Sequence, residues 1–209
     1  TVRLQNFADI DQVTKDTGKK FDFILADLGV SSMQIDERER GFSFRFSGPL
    51  DMRMSTEGLS AKDVVNTFKE ADIANILFKY GEEKASRRIA KNIVKARSQK
   101  EIETTEEFVN IIEKSIPAFA KRDGHPAKRT FQAIRIEVNN EIKPLYQTVI
   151  DSIDSLNPGG RLCVITFHSL EDRAVKNAMN DCIGKCICPP GLPYCVCGAK
   201  AIGKVISRK

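Results

Sequence analysis

Phe21 to Asp27 reads FDFILAD, and Arg161 to Phe167 reads RLCVITF. Each is a short apolar run preceded by turn chemistry: Thr17-Gly18-Lys19 before the first, Asn157-Pro158-Gly159-Gly160 before the second. Continuous apolar runs of this length predict buried strands of the kind found in parallel sheets. Each run ends in a polar cluster. Asp27 leads into Gly29 and the pair Ser31-Ser32; Phe167 leads into His168, Ser169, Glu171, Asp172 and Arg173. Open α/β sheets bind ligands at the carboxyl ends of their strands, so these clusters are the first candidates for a site.

Outward from the two strands the text is mostly helical. Gly41 to Met54 (GFSFRFSGPLDMRM) fits neither period and reads as a long loop, ordered by its three phenylalanines. Ser60 opens a helix, Ala71 to Leu77 forms another, and Glu82 to Ala96 a third. Thr104 with Glu107 is a capping-box signal for a fourth, closed by Pro117. Pro126 suits the first turn of a helix running to about Leu156, bent or broken near Pro144. Its apolar stripe is Ala127, Phe131, Ile134, Val138, Ile142 and Leu145; a neighbouring stripe carries Lys128, Gln132, Arg135 and Asn139. Ser169 or Leu170 opens the last helix. Val2-Arg3-Leu4 and Lys204-Val205-Ile206-Ser207 read as pieces of strand, and both ends of the chain read as those of a fragment. The order strand, loop, helices, strand, helix, cysteine loop, strand is that of an α/β sheet with a helical insertion after its first strong strand.

The 209 residues are 41% hydrophobic and 29% charged, enough for a core and a solvated surface, which argues against wholesale disorder. No apolar run approaches the length of a membrane span, and residues 1–9 show no signal-peptide pattern. The expected setting is a reducing cytoplasm. The formal charge is +5, and its distribution is uneven. Lys84, Arg87, Arg88, Lys91, Lys95, Arg97 and Lys100 form a run without an acid, and Lys84, Arg88, Lys91 and Lys95 fall on one stripe. Lys121, Arg122, Lys128, Arg129 and Arg135 form a second cluster, interrupted only by Asp123. A single basic run is usually a solvated helix face; two of them favour a polyanionic partner. Phe42, Phe44 and Phe46 alternate with polar residues beside Arg40, Arg45 and Arg53, a pattern that can stack a splayed-out base and hold its phosphate. The alternative is a loop anchored in the core by its phenylalanines.

Cys163 stands alone in an apolar run, as a core residue would. The other five cysteines lie between Cys182 and Cys197. Cys186-x-Cys188 and Cys195-x-Cys197, separated by a Pro189-Pro190-Gly191 turn, could hold zinc tetrahedrally through four thiolates. Free thiols and a redox pair are the alternatives, and the C-x-C spacing is tighter than the usual two-residue gap.

Six blocks carry a resemblance: DLGVSS (27–32) with Gln34, RGFSF (40–44), GPLDMRM (48–54), YGEEKASRRIA (80–90), HPAKRTFQAIRI (125–136) and PGGRLCVITFHSLEDR (158–173). In this order they resemble the S-adenosylmethionine-dependent cytosine-N4 methyltransferases of bacterial small-subunit (16S) ribosomal RNA. The resemblance covers essentially the whole chain. It implies a Rossmann-like class I methyltransferase core over residues 1–35 and 125–209, incomplete, with a helical RNA-recognition insertion over 36–124 and a cysteine-rich loop at 182–200. The family's upstream glycine-rich loop, its ribose-binding acidic residue and its closing strand are not among these residues. The resemblance further implies that Phe7, Asp27 and Gln34 contact S-adenosylmethionine and that the partner is small-subunit RNA or the subunit itself, with no membrane involved and a homodimer left open.

The residues themselves fit that chemistry. Methyl transfer from a sulfonium is an in-line displacement, so positioning supplies much of the rate. Asp27, with backbone carbonyls of Leu28 to Val30, could accept the amino protons of cytosine and localise its nitrogen lone pair. Ser31, Ser32 and His168 are the other catalytic candidates. A capping role competes for Asp27, a core aromatic role for Phe7 and a structural role for His168. Two other functions remain open: a non-catalytic RNA-binding protein and a DNA amino-methyltransferase.

Overall fold

The computed structural model describes residues 2–116, 124–184, 188–194 and 196–206. Pro117, Lys121, Arg122, Cys186, Cys195 and Ser207 lie outside them. The chain divides into two compact units, one of residues 1–29 with 142–209 and one of Val30–Glu141. Among the described residues, no helix is long and apolar enough to cross a membrane.

The first unit is a mixed α/β layer. Its elements are α1 (Ile10–Thr17), β1 (Phe21–Asp27), α8 (Leu145–Asp154), β2 (Leu156–Ile165) and α9 (Ser169–Cys182). The expected strands both form, and they pair in parallel, with Phe23 opposite Arg161, Leu25 opposite Cys163 and Asp27 opposite Ile165. β2 starts earlier than the apolar run. Phe21 pairs with Leu156 and Phe23 with Arg161, so Pro158-Gly159-Gly160 forms an irregularity inside the strand rather than a stop before it. Leu28, Leu145, Val149, Val175 and Ala178 form the core, with Ala26, Leu162 and Val164 packed against them from the sheet.

Three expectations fail in this unit. The strands are not buried on both faces: Phe23, Leu25, Ile165 and Cys163 are exposed, so Cys163 is not a core residue. Helices pack on the Ala26 side of this two-stranded ladder, and alternation sends every second side chain to the other. Val2-Arg3-Leu4 forms no strand; Val2 and Leu4 are fully exposed, and Arg3 instead pairs with Asp16 at 3.1 Å. Lys204-Val205-Ile206 is likewise irregular and exposed, with no strand partner among the described residues.

The second unit is helical: α2 (Ser32–Asp36), α3 (Ala61–Thr67), α4 (Glu70–Gly81), α5 (Ser86–Arg97), α6 (Thr105–Ser115) and α7 (Lys128–Asn139). Ser60 caps α3 and Thr104 caps α6 in capping boxes with Asp63 and Glu107. The Lys100 ammonium, 2.6 Å away, and the backbone N–H groups of Glu103 and Thr104 pull the Glu107 carboxyl down to about 2. α4 packs on α5 and α7, and α5 on α6 and α3. Ile73, Leu77, Ile89, Ile93, Phe108, Ile112 and Ile134 are fully buried. The helix expected from Pro126 to about Leu156 breaks into α7 and α8. The break comes at Asn140, whose left-handed φ of 51° ends α7 four residues before Pro144. The second unit closes at Glu141 and includes α7. Phe131 and Ile134 draw it there by packing with the other helices.

The Gly41–Met54 loop is ordered as expected, by hydrogen bonds as much as by phenylalanine. Leu50 N–H donates to the Glu103 carbonyl, Lys62 N–H to the Leu50 carbonyl and Thr105 N–H to the Gly48 carbonyl. Gly41 has no alternative there: at φ +68° a Cβ would sit 2.2 Å from the Pro49 carbonyl oxygen.

Candidate functional site

Parallel pairing brings the carboxyl ends of β1 and β2 to one edge of the sheet. Asp27 is exposed there as the last residue of β1. Gly29 follows with φ +86°, a conformation that disfavours any side chain. From β2 the edge receives Phe167, His168 and Glu171. Glu171, only 2% exposed, sits at the third position of α9 and folds back to the strand exit. Its Oε2 accepts the N–H of Phe167 at 2.8 Å and of His168 at 3.3 Å. Its Oε1 lies 3.2 Å from His168 Nε2. Burial pushes the Glu171 carboxyl up; the neighbouring imidazole and the two backbone N–H groups outweigh it and leave the net shift downward. This edge can therefore offer an exposed carboxylate, a buried anion that fixes the backbone, and an imidazole. The sequence puts Glu171 in the polar cluster after the second strand, but nothing there tells a buried carboxylate from a solvated one.

The remaining sequence candidates fall as follows. Phe7 begins a short 3-10 turn (Phe7–Asp9) rather than ending a strand, and its side chain is 46% exposed. In the second unit Ser31 caps α2: its hydroxyl accepts from Gln34 N–H at 3.3 Å, and Gln34 Oε1 accepts from Ser31 N–H at 2.9 Å. Only the Gln34 amide NH₂ is left for a ligand. Ser32 is exposed in the first turn of α2.

The loop phenylalanines are less available than their alternation suggests. Phe42 is 8% exposed. Phe44 stacks on His125, 4.4 Å between centroids, and meets the edge of Phe131. Phe46 carries the Arg38 guanidinium over its ring at 4.8 Å. Arg53 is committed too, in a two-pronged pair with Asp51 at 2.9 and 2.8 Å.

The basic residues separate into two groups. Arg88, Lys91 and Lys95 lie along the exposed side of α5, opposite the buried Ile89, Ala90 and Ile93. Lys84 is exposed in the turn before α5 rather than on the helix, because the helix starts at Ser86. Lys128 and Arg129 are exposed in the first turn of α7. None of these six side chains makes an ion pair among the described residues. Arg135 differs: its guanidinium is half-buried and holds Glu141 through two hydrogen bonds of 2.9 Å. Gln132 and Asn139 on the same stripe also turn inward, to the Tyr80 carbonyl and to the loop.

Of the four expected zinc ligands, Cys188 and Cys197 are described and partly exposed, and Cys188 Sγ accepts the Val196 N–H at 3.3 Å. Cys186 and Cys195 lie outside the described residues, so the four-cysteine arrangement is not visible as a whole.

Comparison with known proteins supplies what geometry leaves open. The sequence pattern of the MraW methylase family matches residues 1–209. A "Ribosomal RNA small subunit methyltransferase H" of Brevibacillus brevis is 53% identical, over 100% of this chain and 68% of that protein. The protein of that name from Ruminiclostridium cellulolyticum is 54% identical, over 98% and 66%. That from Finegoldia magna is 52% identical, over 98% and 67%. The chain thus spans about two thirds of the length of these relatives.

Proposed function

The chain belongs to the MraW methylase family, and from that premise we propose that it is a methyltransferase of small-subunit ribosomal RNA, carrying a methyl group from S-adenosylmethionine to N4 of a cytidine. The observation that carries the chemistry is the exposed Asp27 carboxylate at the shared carboxyl end of two parallel strands. When bound, S-adenosylmethionine supplies an electrophilic methyl group on a sulfonium that leaves as a neutral thioether.

The residues present suit such a group. In the first unit Phe7 offers an exposed ring for an adenine and Asp27 an acceptor; Gln34 is the further contact that the family resemblance implies. Asp27 does the acceptor's work. The exocyclic amino group of cytosine is a poor nucleophile because its lone pair is delocalised into the ring. A carboxylate accepting one N–H pulls the group away from planarity and restores density to nitrogen. His168 and Glu171 shape the neighbouring strand exit; no general base is needed, because an alkylated cationic amine is acidic enough to lose its proton to water.

RNA phosphates are held by exposed cations of the second unit that make no ion pair among the described residues, Lys84, Arg88, Lys91, Lys95, Lys128 and Arg129, with Arg135 supporting the fold. That unit, Val30–Glu141, is the RNA-recognition insertion in this reading. This reading also includes a structural zinc at Cys186, Cys188, Cys195 and Cys197, supported by soft donors in two pairs close in sequence and by the N–H donated to Cys188 Sγ. The cytoplasm is the compartment implied.

The test is Asp27→Ala in the full-length protein, assayed with small-subunit RNA and labelled S-adenosylmethionine. We expect an unchanged melting temperature and loss of methylation by two or more orders of magnitude, roughly the worth of a group acting on the reacting atom. Near-normal turnover removes Asp27 from the reaction.

A further inference from the structure

We propose that Phe167 is the aromatic platform on which the acceptor cytosine stacks. The proposal rests on the methyl-transfer reading above and adds to it the residue that sets the plane of the base.

Position comes first. Asp27 and Ile165 are partners across the ladder, and paired residues of a sheet face the same side. Phe167 lies two residues beyond Ile165, the last residue of β2, and its ring adjoins Gly29, two residues beyond Asp27. The Phe167 ring is 68% exposed.

Its main chain is held unusually firmly for so open a side chain. The Phe167 N–H donates at 2.8 Å to Glu171, a carboxylate that the fold buries almost completely. Burying an anion is costly unless it is fully engaged. Here the engagement, which includes the capping box of α9, fixes the backbone from which an exposed aromatic projects. Gly29 adjoins the ring: a Cβ there would lie 3.4 Å from Phe167 Cδ2.

The chemistry asks for such a group. The lone pair of the amino nitrogen stands perpendicular to the plane of cytosine, so the plane must be fixed before an in-line attack can be aligned. Asp27 grips an edge of the base through an N–H and leaves the face free. An aromatic ring grips the face. Enzymes that modify a base take it out of its stack and lay it against aromatic or apolar side chains. Phe42 and Phe44 are already occupied by core packing and by His125.

The experiment compares Phe167→Leu, Phe167→Ala and Phe167→Tyr in the full-length protein with small-subunit RNA. Loss of the π-face should lower kcat/KM for RNA about ten- to a hundredfold in the Leu and Ala variants. Tyr should restore activity to within about threefold, since it keeps the ring. S-adenosylmethionine affinity by calorimetry and the melting temperature should match wild type in all three; Leu keeps apolar bulk at an exposed position and leaves folding undisturbed. Full activity in Phe167→Leu overturns the proposal, as does a Tyr variant no better than Leu or a parallel loss of S-adenosylmethionine affinity. A wild-type protein that binds S-adenosylmethionine but leaves small-subunit RNA unmethylated overturns the underlying reading and the proposal with it, whereas an active wild type with an active Leu variant sinks Phe167 alone.

Discussion

Asn139 uses both ends of its amide on one loop. Its Nδ2 donates to the Met52 carbonyl at 2.8 Å, and its Oδ1 accepts the Met54 N–H at 2.7 Å. Met52 between them is fully buried at φ 62°, a left-handed conformation that a side chain resists. Arg40 adds a bond to the Arg53 carbonyl at 2.7 Å. We therefore expect Asn139→Ala to destabilise the protein by about 2 kcal/mol, because two half-buried backbone groups lose their partner at once. Urea unfolding measures it, and a loss below about 0.5 kcal/mol, the level of an ordinary surface change, counts against the clamp. The sequence placed Asn139 on a polar stripe beside Lys128 and Arg135, and helical periodicity can do no more than that. It gives the direction of a side chain, not whether a loop lies there to receive it. The same limit explains Arg135, which reads as a phosphate contact and instead holds Glu141.

Among the elements, α5 and α7 share an oddity. Arg87 and Arg88 occupy the first turn of α5, and Lys128 and Arg129 that of α7, with no acid in either first turn. Cations there oppose the helix dipole and cost a few tenths of a kcal/mol each, roughly. Positions held against local stability are candidates for binding. Arg88→Gln with Lys91→Gln and Lys95→Gln should weaken RNA binding and lower the slope of log affinity against log salt by about 2 to 3, while leaving stability equal or slightly higher. An unchanged slope makes the stripe a solvated face. Helix existence was legible where a capping residue preceded a long apolar stripe, as at Ser60 and Thr104, but not at Ser31, whose capping box opens the five-residue α2. Ends marked by φ alone were not: Asn140 stops α7 in a left-handed conformation that Asn tolerates but does not announce. α1 went unmarked for the same reason, since its first residue follows Asp9 without a side-chain cap.

At the scale of the whole molecule, each unit has its own core: Leu28, Leu145, Val149 and Val175 in one, Ile73, Ile89, Ile93 and Ile134 in the other. Among the described residues, neither core contains one of the cysteine loop beyond Cys182. If four thiolates hold zinc, chelation should remove one equivalent of metal and raise hydrogen exchange within residues 182–200 while leaving both cores protected. Reduced protein with less than about a tenth of an equivalent of zinc rules the site out. The α/β class and the parallel ladder were legible because two apolar runs with polar ends are enough to specify them. The open face of that ladder was not. Phe23 and Leu25 are as apolar as buried residues, and only the count and placement of packed elements, which periodicity does not carry, decides which face is covered.

The irregularity at Pro158-Gly159-Gly160 also has a practical use. Gly159 faces open space, with nothing within 4 Å of where a Cβ would be. It lies in the amino-terminal part of β2, and the strand from Arg161 to Ile165 spans roughly 13 Å at ordinary extension. A glycine-serine linker bearing a fluorophore could be threaded in there, at the far end of the sheet from Asp27 and Phe167. Such a reporter would tumble with the strand and follow the arrival of a large RNA by anisotropy, without a label near the chemistry.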